Sequence, residues 1–275
     1  MRGNIVFTDA TWSGTSKILV NGIGAQTTSG AGACGVTMDV NKSAGTFTLG
    51  ANLTFQNVTS DLNLIAGTFA CSTFNLTLTR NYTQTNGAFT GGAGTITIPG
   101  TFTLTAGTFT GVSGAINVTG VLTINGGTFT STTGLLTAVN SFIVNAGTFS
   151  PNGGTVTLTG TTVTLQSGNF FNLILNNAAL ALTITNDTVV NNTLTFTAIL
   201  SYNTSNSSAI NARSNVVFTD TTCTGTGRIV LNGTGAQSIT GAGKCPGILD
   251  INKSSGTASL GAALTLQNAT SNFNL

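Results

Sequence analysis

The 275-residue sequence predicts an all-β fold, a single-stranded parallel β-helix (β-solenoid) with three short strands in each coil of about 20–22 residues. Three observations predict it: a Gly-Thr-Phe phrase recurs at a near-constant step, each recurrence is flanked by pieces that alternate polar and apolar residues, and Gly or Asn-Gly separates the pieces. The phrase stands at Gly45, Gly67, Gly107, Gly127 and Gly147, with Gly87-Ala-Phe between the second and third and Gly168-Asn-Phe after the last. The steps are 22, then 20 four times, then 21.

The first strand of each coil is Thr-Phe-Thr or a variant of it. The second follows as Gly-Thr-Ile-Thr-Ile from residue 94, Gly-Ala-Ile-Asn-Val from 114, Gly-Leu-Leu-Thr-Ala from 134 and Gly-Thr-Val-Thr-Leu from 154. The third is Thr-Phe-Thr-Leu from 101, Val-Leu-Thr-Ile from 121 and Ser-Phe-Ile-Val from 141. Alternation with period 2 is the mark of a half-buried strand, and the apolar spacing of three and four that a helix needs is absent. The corners look equivalent around the coil, whereas a stack of hairpins would need reversals of 180°. Gly and Asn supply corners with positive φ at little steric cost.

Coils stacked about 4.8 Å apart bring equal positions above one another. Phe47, Phe69, Phe89, Phe109, Phe129, Phe149 and Phe170 are then expected as one interior column, and Ile96, Ile116, Leu136 and Val156 as another. Burying aromatic area is the ordinary use of such a Phe stripe. The flanking threonines face outward, where β-branched residues suit a pleated surface.

A longer period overlies the first. Residues 2–64 align without a gap to residues 213–275, at an offset of 211, with more than half of the positions identical. The chain from 1 to 275 is thus expected as one continuous, right-handed solenoid of about a dozen coils, roughly 60 Å long. Neither end carries the polar cap that an isolated solenoid needs.

Composition limits the chemistry. Only 5% of residues are charged, eight Lys and Arg stand against six acids, and His and Glu are absent. Clustered cations for nucleic-acid phosphates are lacking, and the usual proton carriers of acid–base enzymes are scarce. The expectation is no enzyme, no cofactor and no nucleic-acid partner. No apolar run reaches the roughly 18 residues of a membrane helix, so no insertion is expected. The opening Met-Arg-Gly-Asn-Ile-Val-Phe-Thr has no apolar h-region, so no signal peptide is read there. The acids Asp9, Asp39, Asp61, Asp187, Asp220 and Asp250 form no acidic cluster, and Asp39 with Lys42, repeated as Asp250 with Lys253, reads as a solvated pair near a corner. Gly30-Ala-Gly-Ala-Cys-Gly35 spells a dinucleotide fingerprint, but no helix follows it and the second copy has Pro246 at its third glycine, so it reads as a loop. Asn52-Leu-Thr, Asn75-Leu-Thr and Asn81-Tyr-Thr spell glycosylation sequons that composition alone explains.

Four cysteines without a CxxC give no metal site. Cys223 and Cys245 lie 22 residues apart in loop-like stretches, and a disulfide between them is expected. In the first copy Trp12 takes the place of Cys223, leaving Cys34 free or paired with Cys71.

The phrases Phe-Asn-Leu-Ile-Leu-Asn-Asn from 171, Asp-Thr-Val-Val-Asn-Asn-Thr-Leu-Thr-Phe from 187 and Asn-Lys-Ser-Ser-Gly-Thr from 252 resemble repeats of very large secreted bacterial surface proteins, the filamentous-haemagglutinin-type adhesins and autotransporter passengers. The resemblance implies export, a parallel β-helix and a structural or adhesive role, and it assigns no residue to chemistry. The functional expectation is a segment of an extracellular filament or long cell-surface stalk, with itself as partner, docked head to tail or continued in one longer chain. An adhesin passenger touching glycan or another surface is the second expectation. Ice binding through the outward Thr-x-Thr columns is the third, although Ala70, Ala88 and Ser150 interrupt them.

Overall fold

The computed structural model describes residues 1–205, 207–266 and 272–275. Among them there is no helix, and parallel stacked strands form a β-solenoid of about 13 turns. The chain divides into two compact units, residues 1–137 with 144–152, and residues 138–143 with 153–275.

In the first unit the expected Phe column is realised in register. Phe47 pairs with Phe69, Phe69 with Phe89, Phe89 with Phe109, Phe109 with Phe129 and Phe129 with Phe149. All six side chains are buried. Ring centroids of Phe89 and Phe109 are 4.3 Å apart at an interplanar angle of 6°, and those of Phe109 and Phe129 are 4.7 Å apart at 18°. Alternation puts each Phe inside and its neighbours outside, as in Thr108–Thr110, whose two threonines are exposed. A second ladder runs Leu76–Ile96–Ile116, and a third runs Leu62–Tyr82–Phe102–Leu122.

The second unit has its own ladder, Val156–Leu173–Leu194–Val216–Ile239. Phe170 is buried there with its ring 5.3 Å from that of Phe142. Coils in this unit are less uniform than the sequence reading of three short strands. Asn169–Asn186 and Thr188–Thr204 run through their corners as single long strands, with register shifts taking up the irregularity. Bulges of this kind let a strand bend without ending.

The corners explain the recurring glycine. Gly107 has φ 84°, and a Cβ built there would lie 2.1 Å from the Gly87 carbonyl oxygen of the coil before it. Positive φ and backbone contact together leave room for no side chain. The fingerprint-like loop follows the same rule: a Cβ on Gly30 would lie 2.2 Å from the Phe7 carbonyl oxygen. Its glycines seat one coil on the next.

Candidate functional site

Most of the carboxylates hold main-chain amides, side-chain amides or basic side chains, several of them in the neighbouring coil. Asp9 accepts from the Thr11 amide and hydroxyl, both at 2.7 Å, and these bonds lower its pKa. Its counterpart Asp220 makes the same turn with Thr222 and also accepts the Ile199 amide. Asp39 pairs with Lys17 at 2.7 Å and accepts from Asn63 at 2.8 Å. Asp250 repeats this with Arg228 and Asn274. Asp61 holds Arg80 and the Asn81 amide, and Asp187 accepts the Ala209 amide. The partners of Asp39 and Asp61 lie one coil away, so these carboxylates stitch layers and no bond joins any two carboxylates. Among the described residues no group of three or more His, Cys, Asp or Glu could hold a metal ion, and no helix is long and apolar enough to cross a membrane.

The reading of Asp39 and Lys42 as a solvated pair is corrected. Lys42 is buried, and its Nζ donates to the Gly22 carbonyl at 2.5 Å, the Gly24 carbonyl at 2.8 Å and Gln26 Oε1 at 2.6 Å. The Gln26 amide nitrogen continues to the Met1 carbonyl at 3.2 Å and the Gly3 carbonyl at 2.8 Å. One lysine and one glutamine thereby tie three successive coils. Three ammonium hydrogens meet three acceptors, which meets the cost of burying the charge without a carboxylate. Burial still pulls the Lys42 pKa below its ordinary value. The second copy repeats the latch atom for atom: Lys253 Nζ reaches Gly233, Gly235 and Gln237, and Gln237 reaches Ala212 and Ser214. The latch was missed in the sequence, although Gln26 and Lys42 recur at the same spacing as Gln237 and Lys253.

The expected Cys223–Cys245 disulfide is also corrected, because all four cysteines are free thiols buried in the interior. The two sulfurs are turned to main-chain acceptors instead: Cys223 Sγ lies 3.4 Å from the Thr224 carbonyl and Cys245 Sγ 3.7 Å from that of Gly247. Cys34 is likewise directed to the Val36 carbonyl at 3.1 Å, and no bond joins it to Cys71. Burial pushes the Cys34 and Cys245 thiols up to about 11 and those of Cys71 and Cys223 to about 12. Burial likewise raises Tyr82 and Tyr202 well above the usual phenol value.

These shifts set a pH dependence. A buried thiol stays neutral where the unfolded one ionises, so its contribution to stability is flat below the unfolded pKa of about 8.5 and is lost as pH rises toward the folded value. The Lys42 shift has the opposite sign, but it is one group against four thiols and two phenols. We expect the urea midpoint to hold constant up to about pH 8.5 and to fall between there and pH 11. At pH 8 the thiols should resist alkylation until the chain is unfolded. Rapid labelling of the folded chain would contradict the buried, inward-facing placement.

A groove on the first unit has a cavity volume of about 740 Å³ and is lined by Gly30, Gly32, Ala33, Asn52, Gln56 and Phe74 among others. Its walls are uncharged and mostly small, with Gln56 and Phe74 the larger side chains, so it can accommodate a neutral polar surface and its lining supplies no proton carrier. The outward threonines form two columns, Thr46–Thr68–Ala88–Thr108–Thr128–Thr148 and Thr48–Ala70–Thr90–Thr110–Thr130–Ser150.

Comparison with protein-family models, curated proteins and solved structures finds no match for this chain.

Proposed function

We propose that this chain is a structural segment of an extracellular filament or long cell-surface stalk, a non-enzymatic protein whose task is mechanical. The observation that carries this reading is the layer-to-layer bonding. Parallel main-chain pairing is reinforced by stacked Phe rings, by Asp39 and Asp61 bridges and by the duplicated lysine latch. In a repeat architecture, stability is the sum of such nearest-neighbour terms, so the same devices repeated make a long object stiff. The scarcity of free charge fits a fibre that changes of salt do not dissolve. The resemblance to secreted bacterial surface repeats supports an exported, extracellular location and itself as principal partner.

Electron microscopy and intact-mass measurement on the native material test this together. The expected result is filaments, made either of a chain far above 27.6 kDa or of subunits near it. A monodisperse, unassociated 27.6 kDa monomer at high concentration would overturn the reading. It would favour an adhesin instead, for which the uncharged groove beside Phe74 is the natural place for a neutral glycan.

A further inference from the structure

The sequence holds five Asn-Gly pairs, beginning at Asn21, Asn86, Asn125, Asn152 and Asn232. Such a pair can cyclise, because the glycine amide nitrogen can reach the carbonyl carbon of the Asn side chain and no Cβ on glycine blocks the approach. The reaction needs a carboxamide that is free to turn and an amide whose proton is not committed to an acceptor. The fold removes one or both freedoms from four of the pairs.

At Asn21 the Gly22 amide donates to Gln26 Oε1 at 3.1 Å, the same oxygen that receives Lys42 Nζ at 2.6 Å. The second copy repeats this at Asn232. There the Gly233 amide donates to Gln237 Oε1 at 2.9 Å, and the Asn232 side chain donates to that of Asn211 at 2.9 Å. The lysine latch thus occupies the nucleophile in both copies. The Asn125 side chain accepts from Asn145 at 2.7 Å, and the Gly126 amide is turned to the Leu104 carbonyl at 3.4 Å. The Asn152 side chain donates to the Ser131 carbonyl at 3.1 Å.

Asn86 differs from all four. Its side chain is exposed, and among the described residues neither that side chain nor the Gly87 amide has a hydrogen-bond partner. The next coil crosses the Gly87 nitrogen with Gly107, where a Cβ would lie 2.9 Å from it, so glycine at the crossing leaves the amide uncovered. The corner itself has no need of asparagine, since nearby coils carry Ala66, Ala106 and Ala146 in the same place.

We propose that Asn86–Gly87 is a self-modification site, at which the folded chain passes through a cyclic imide to aspartate and isoaspartate, while the latches keep Asn21 and Asn232 unreacted. Hydroxide takes the Gly87 amide proton, and the electron pair left on nitrogen forms the new bond to Asn86 Cγ. The Cγ–Nδ2 bond breaks, and Nδ2 leaves as ammonia with a proton from water. Water then opens the ring at either carbonyl, giving aspartate at one and isoaspartate at the other. Nothing is oxidised or reduced. Either product places a carboxylate in a stretch, residues 81–186, that otherwise has no charged side chain. Isoaspartate also lengthens the main chain beside the Gly87 carbonyl, which accepts from the Thr108 amide and from Gln84, both at 3.0 Å, and so it strains the joint with the next coil. This chemistry is independent of the filament reading.

The test holds the full 275-residue chain in mildly alkaline buffer, folded and in urea, and follows each pair by peptide mass spectrometry with fragmentation that separates aspartate from isoaspartate. In urea the five pairs should convert at comparable rates. In the folded chain Asn86 should convert about tenfold or more faster than Asn21 and Asn232, whose reaction waits on local opening. Anion-exchange chromatography should resolve an acidic form that grows faster as pH rises and that Asn86→Ala suppresses. A folded chain in which Asn86 has no such lead would overturn the proposal, as would an acidic form that grows equally fast in Asn86→Ala.

Discussion

Replacing Phe109 with alanine should destabilise its unit by about 3–5 kcal/mol, toward the upper end of the range for a large buried aromatic. Phe109 is at the centre of the ring stack. Besides Phe89 and Phe129, its ring meets Phe102 edge-on at 5.0 Å and Tyr82 at 5.8 Å. Alanine would remove four aromatic contacts, each worth about 0.5–1.5 kcal/mol beyond burial, and leave a void bounded by coils that cannot collapse along the stack. Thr108→Ser, on the exposed side of the same strand, should cost within about 0.5 kcal/mol. Urea denaturation of the two variants measures the contrast. Equal tolerance at both positions would mean that the inside and outside of the coil have been exchanged.

The second large effect is expected at Lys42. Lys42→Met keeps the apolar stem but removes the ammonium, leaving the Gly22 and Gly24 carbonyls without their donor. An unsatisfied buried polar group costs about 1–3 kcal/mol, so a loss of about 3 kcal/mol is expected. Lys253→Met is an internal control, because Lys253 makes the same three bonds while only half-buried. Water can replace its donor there, and the loss should stay under about 1 kcal/mol. Similar losses in the two variants, read from the same urea curves, would show that burial does not set the strength of the latch.

The Phe column was legible in the sequence because its step is nearly constant. A 20-residue period with period-2 alternation inside it leaves little freedom in which face holds Phe89, Phe109 or Phe129. The latch was hidden for the opposite reason. A lysine three residues from Asp39 reads as half of a solvated pair, and only the path of the backbone brings the Gly22 and Gly24 carbonyls to its Nζ. The cysteines failed as a disulfide because a spacing near one coil fixes the layer but not the direction of the sulfur, which a nearby carbonyl sets instead. The long strands Asn169–Asn186 and Thr188–Thr204 escaped the three-strand reading where the glycine corners give way to Asn-Asn and Ala-Ala, residues that allow an extended bend. The groove beside Phe74 carried no signal in the sequence, since most of its lining is Gly, Ala, Asn and Thr that composition supplies everywhere.

The central claim is that stacked coils carry the length of a filament, and diffraction from aligned native material tests it most directly. The account predicts a reflection near 4.8 Å on the meridian, along the filament axis, because that is the rise from one coil to the next. A 4.8 Å spacing found only across the filament axis, or absent from aligned material, would contradict it.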